Sequence, residues 1–110
     1  MSSAHRIIPQ RSVRIPAGTW RAAKQQARQD GCSMSQGVRP HLAHYVAGGY
    51  LAAGTAREAR KRSRDLFHTG SLSVPHDEWE AAKQLAAQDG LKIGTVVTAA
   101  LHRYAEQAPA

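Results

Sequence analysis

Residues Trp20 to Gly31 read WRAAKQQARQDG, and residues Trp79 to Gly90 read WEAAKQLAAQDG. The offset of 59 positions holds without a gap across residues 12–47 and 71–106. Identities under that shift include Ser12/Ser71, Pro16/Pro75, Lys24/Lys83, Asp30/Asp89, Val38/Val97, Leu42/Leu101 and Tyr45/Tyr104. Similar pairs fill in, such as Val13/Leu72, Ile15/Val74 and Met34/Ile93. A unit of under 40 residues buries too little surface to fold alone, so the two copies are expected to pack on each other.

Each copy has three parts. The first alternates: Val13 and Ile15 point one way, and Gln10, Ser12 and Arg14 point the other. In the second copy Leu72 and Val74 oppose Thr69, Ser71 and Ser73. A period of two over a short run predicts a strand with one buried face. Pro16 or Pro75 follows, which ends strand pairing and suits the first helical position.

A helix comes next, with Trp20, Ala23 and Ala27, or Trp79, Ala82 and Ala86, on one stripe. Asp77 and Glu78 complement the dipole in the second copy's first turn, and Gly31 and Gly90 supply left-handed stops. The last part is a second helix, with Met34, Val38, Leu42 and Tyr45, or Ile93, Val97, Leu101 and Tyr104, as its apolar face. Ser33 or Ser35 suits its cap in the first copy, and Gly94 or Thr95 in the second. Pro40 falls near the fifth residue of that helix, where a kink or a late start is expected.

Two short strands with apolar faces avoid exposed edges by pairing with each other. The expected fold class is therefore mostly α with a two-stranded antiparallel β-ribbon. The expected layout is a flexible N-terminal arm at 1–9, a first repeat at 10–48, a basic linker at 49–68 that could be partly helical, a second repeat at 69–106 and a short tail at 107–110.

Charge narrows the partner. The chain has 15 Lys and Arg against 8 Asp and Glu, a formal +7. Residues 11–48 carry six cations and one acid, and residues 57–65 (REARKRSRD) five cations and two acids. Residues 69–110 carry three cations and five acids. A basic front and middle suit a polyanion as partner, nucleic acid being the commonest, and charge alone weighs that reading evenly against a solvated surface. With one cysteine, Cys32, no internal disulfide or thiolate cage can form. No run reaches transmembrane length and MSSAHRIIPQ has no apolar core, so a cytoplasmic location is expected. No nucleophile triad, phosphate loop or carboxylate pair stands out, so a binding protein without cofactor is expected rather than an enzyme.

Strand, proline, helix, glycine turn and helix, written twice, resemble the ribbon-helix-helix DNA-binding family. The residues that carry the resemblance are QRSVRIP, GTWRAAKQQARQDG and SMSQGVRPHLAHYV, then TGSLSVP, HDEWEAAKQLAAQDG and LKIGTVVTAALHRYA. Family members dimerise, so the resemblance implies a tandem ribbon-helix-helix pseudodimer, a monomer acting as two halves, with further association on DNA left open. It implies double-stranded DNA as partner, nucleoid association, and base contacts from Gln10, Ser12, Arg14, Thr69, Ser71 and Ser73. It also implies phosphate contacts near Met34, Ser35, Gln36, Ile93, Gly94 and Thr95, where helix amides form an anion site. Arg60, Lys61 and Arg62 of the linker are further phosphate candidates. The second strand lacks a long polar side chain, so unequal halves and an asymmetric subsite are expected. A bacterial transcriptional repressor is the function implied. An accessory protein of plasmid partition or conjugation, or an antitoxin, are the alternatives, the last disfavoured by the short EQAPA end.

Other residues have plainer readings. Trp20, Trp79, Tyr45 and Tyr104 are expected in the core rather than as stacking platforms. His41 and His44 are spaced to share a metal, but no third ligand is evident and the second copy has Ala100 and Arg103 there. Cys32 matches Leu91 and is expected to be a small apolar filler.

Overall fold

The computed structural model describes residues 10–48 and 67–106. The elements are β1 (Gln10–Pro16), α1 (Ala17–Asp30), α2 (Met34–Val46), β2 (Phe67–Ser73), α3 (His76–Gln88) and α4 (Ile93–Glu106). The arm at 1–9, residues 49–66 of the linker, and the tail at 107–110 lie outside the described residues, and Arg60, Lys61 and Arg62 with them. The second strand opens at Phe67, two residues earlier than the alternation predicts. Pairing supplies the reason, because Phe67 lies opposite Pro16 at the end of the antiparallel ladder.

β1 and β2 form a two-stranded antiparallel sheet in which Ser12 faces Ser71. These two serines are equivalent under the 59-residue shift, so an axis relating the two copies would pass between them, and the pairs Gln10–Ser73 and Arg14–Thr69 on either side exchange under it. The inner face sends Val13, Ile15 and Leu72 into the core, joined by Val74 just past the strand. The helices meet it with Ala23 and Ala27 of α1, Val38 and Leu42 of α2, Trp79 and Ala86 of α3, and Val97 and Leu101 of α4.

α1 and α3 both end in a Schellman arrangement. Gly31 (φ 69°) and Gly90 (φ 73°) take the left-handed conformation. Cys32 N donates to the Ala27 carbonyl and Gly31 N to Arg28; Leu91 N and Gly90 N do the same to Ala86 and Ala87. Cys32 and Leu91 then lean on the core, as the apolar residue after such a turn does. α2 runs unbroken from Met34 through Pro40, so a late start is ruled out. Pro40 is exposed, and the carbonyl its missing N–H would have satisfied lies on that outer side.

Contacts between the two repeats come in exchanged pairs. Tyr45 OH donates to Asp89 Oδ2 at 2.6 Å, and Tyr104 OH donates to Asp30 Oδ2 at 2.7 Å. The Arg11 guanidinium lies over the Trp79 ring at 5.6 Å, and the Trp20 ring lies against Gly70, at the position equivalent to Arg11. α1 packs chiefly on α4, and α2 packs on α3 as well as on α4. Burial draws both phenols' pKa upward first, and the acceptor carboxylates add to it; Tyr45 is pushed up to about 12.

The symmetry is not complete. α4 buries every position from Thr95 to Leu101, whereas α2 buries Val38, His41, Leu42 and Tyr45. Arg39 forms a two-pronged pair with Glu78, at 3.1 and 2.8 Å, which raises its pKa. The shifted positions, Thr98 and Thr19, carry no charge.

Candidate nucleic-acid interface

The outer ribbon face is set by the pleat. Since side chains alternate, placing Val13 and Ile15 inward turns Gln10, Ser12 and Arg14 outward. Register then brings Ser73 opposite Gln10, Ser71 opposite Ser12, and Thr69 opposite Arg14. All six expected base-contacting residues therefore share one face. Gln10, Ser12, Arg14, Thr69 and Ser71 are exposed, and Ser73 is half-buried. Phe67 joins the same face, with the Arg14 guanidinium 5.4 Å from its ring centre. Nothing in the sequence pattern had marked Phe67, because it lies outside the repeated segment.

Arg11 is the basic ribbon residue that does not face outward. Its guanidinium covers Trp79 and its Nη2 lies 3.1 Å from His76 Nδ1. Its buried Nε has no partner among the described residues. The ribbon's outward cation is therefore Arg14.

The start of α2 reaches the ribbon directly. Ser35 Oγ accepts a hydrogen bond from the Ser73 amide at 2.8 Å. Ser33 caps the helix: its Oγ accepts from Gln36 N, and Gln36 Oε1 accepts from Ser33 N. This capping box uses the backbone N–H and the side-chain oxygen of Gln36. Of the first expected phosphate set, Met34 and Ser35 keep first-turn amides that the cap does not use.

The start of α4 is built differently. With no hydroxyl cap, the Lys92 carbonyl accepts from Thr95 N at 2.9 Å and Val96 N at 3.2 Å. Thr95 is 6% exposed, so its side chain belongs to the core rather than to a surface contact. Ile93 and Gly94 are half-buried at the helix start. The two anion sites expected from the pattern are thus unequal, with the first carrying serine hydroxyls and the second carrying none.

The other marked residues fall as follows. Trp79 is buried and Trp20 is half-buried against the ribbon. His41 is buried with its ring 6.0 Å from that of Tyr104, while His44 is exposed. Cys32 Sγ is 3.5 Å from Tyr104 OH. Among the described residues no helix is long and apolar enough to cross a membrane.

No protein-family model matches the chain, and no curated protein or solved structure matches it.

Proposed function

We propose that the chain is a single-chain ribbon-helix-helix pseudodimer that binds double-stranded DNA sequence-specifically, as a bacterial transcriptional repressor. Reciprocity supports the pseudodimer. In a two-fold interface, if residue i meets j then the partner's j meets i. Tyr45–Asp89 and Tyr104–Asp30 obey this rule, as do the ribbon pairs Gln10–Ser73 and Arg14–Thr69 on either side of Ser12–Ser71.

The observation that carries DNA binding is the outer ribbon face. It exposes Gln10, Ser12, Arg14, Thr69 and Ser71 together, with no apolar core beneath them left uncovered. The major groove admits a two-stranded ribbon, and these side chains can hydrogen-bond to base edges there. The helix starts beside the ribbon supply amides for the flanking phosphates. Unequal strands favour an asymmetric subsite over a palindrome.

Selection of bound duplexes from a random pool tests this. The expected result is an enriched motif of a few base pairs that lacks two-fold symmetry. Recovery of unenriched sequence would refute specific reading. Footprints on a transfer origin or centromere-like repeats, instead of a promoter, would assign the same binding to conjugation or partition.

A further inference from the structure

α1 carries Arg21, Lys24 and Arg28 against a single acid, Asp30. The three cations are exposed, with no ion-pair partner among the described residues. At 1.5 Å per residue they span roughly 10 Å of helix axis. The equivalent positions on α3 are Glu80, Lys83 and Ala87, and that helix has three acids against one cation.

Geometry joins this stripe to the ribbon. A groove of about 340 Å³ is lined by Lys24 and Arg28, by Ser33, Met34 and Ser35 at the start of α2, and by Ser71 on the outer ribbon face. A second hollow, bounded by Arg21, Lys24, Gln25, Arg28 and Gln29, continues it along α1. The hydroxyls of Ser33 and Ser35 each already accept a backbone N–H, so each keeps its own proton to donate. The groove therefore presents cations, hydroxyl donors and helix amides, and no carboxylate.

We infer that this groove is a phosphodiester track that lengthens the grip on DNA on one side only. The backbone held at the start of α2 continues across Lys24 and Arg28 toward Arg21. One strand presents a phosphate about every 3.4 Å of duplex axis, so a stripe of roughly 10 Å meets about three. α3 offers no counterpart. This rests on the DNA-binding reading above and adds to it the flank that is held more tightly.

The test titrates salt against the highest-affinity duplex that the wild-type protein recovers from a random pool. Lys24→Gln/Arg28→Gln is expected to lower the slope of log affinity on log salt by about 1.8, at about 0.9 per phosphate contact. Affinity should fall alike for all sequences, and phosphate-ethylation interference should vanish on one flank only. Lys83→Gln, the α3 equivalent of Lys24→Gln, should leave the slope unchanged. Both variants replace exposed helix residues and should melt at the wild-type temperature. An unchanged slope for the double variant, with Arg14→Ala still losing base preference, overturns the track and leaves the ribbon reading intact. Equal losses on both flanks, or a Lys83→Gln effect equal to that of Lys24→Gln, also overturn it. If the wild-type protein selects no duplex, both readings fall.

Discussion

Replacing Gly37 by alanine sets two effects of opposite sign against each other. Gly37 lies in the first half of α2. In an open helix, alanine there would gain up to about 1 kcal/mol over glycine. Here the new Cβ would run into the Tyr104 ring, closest to Cζ, with Cε2 at 2.6 Å and Cε1 at 2.7 Å. Carbon atoms sit comfortably about 3.5–4 Å apart, so the ring would have to retreat by about 1–1.5 Å. Tyr104 is held: it is 4% exposed, its OH donates to Asp30, and its ring leans on His41. Overpacking of this kind costs about 1–3 kcal/mol. A strained bond to Asp30 adds up to about 1 kcal/mol, the value of an ordinary hydrogen bond, because Asp30 is exposed. The net expectation for Gly37→Ala is a loss of about 1–3 kcal/mol, or a melting temperature lower by roughly 4 °C per kcal/mol.

Gly18→Ala is the matched control. It too is a helical glycine, but nothing lies within 4 Å of its Cβ position. A gain of about 0.5 kcal/mol is expected, the propensity term being reduced near a helix start. Urea unfolding followed by far-UV circular dichroism measures both variants. If Gly37→Ala proves as stable as the wild type, Tyr104 is not seated on Gly37 and the α2–α4 packing described above is wrong.

Three further outcomes are expected. Burial first, and then the bond to Asp89, push the Tyr45 phenol up to about 12 from 10.0, so its contribution is full below pH 10 and is lost as pH rises toward 12; Tyr45→Phe should flatten that alkaline loss in urea titrations, and an unchanged slope would contradict a buried phenol bonded to Asp89. Arg39→Ala should cost about 0.2–1 kcal/mol, because the pair with Glu78 is about a third exposed, and a double-mutant cycle in high salt should show the coupling shrink. The proposed pseudodimer predicts thermal unfolding independent of protein concentration, because tethered halves would meet in an intramolecular step with an effective concentration near millimolar; a midpoint that rises with concentration would mean that folding needs a second chain.

The strands, the four helices and the inward faces were legible because burial dictates period. Val13 and Ile15 can be inside only if Arg14 is outside. The glycine stops were legible because Gly31 and Gly90 precede apolar residues at matching places. Side-chain partners across repeats were not legible. Gly37 reads in sequence as a helix-weakening residue, and only packing reveals the Tyr104 ring against it. Alternation places Arg11 on the face of Val13 and Ile15, but only the structure shows its guanidinium over Trp79. Gln36 and Thr95 illustrate the same limit at the helix starts, since one is used by a capping box and the other is buried. The groove of Lys24, Arg28 and Ser71 joins residues far apart in sequence, and no spacing rule brings them together.

Base reading by Arg14 is the central claim. Its most direct test measures wild-type and Arg14→Ala binding to the selected duplex and to the same duplex with guanine N7 replaced by carbon. An arginine reads guanine by bonding O6 and N7 together, so Arg14→Ala should weaken binding by about 1–3 kcal/mol, roughly 5- to 150-fold, and loss of N7 alone, which leaves O6, by less. The two together should cost no more than Arg14→Ala alone. Independent, additive losses, or an Arg14→Ala protein that keeps both affinity and base preference, would contradict the account.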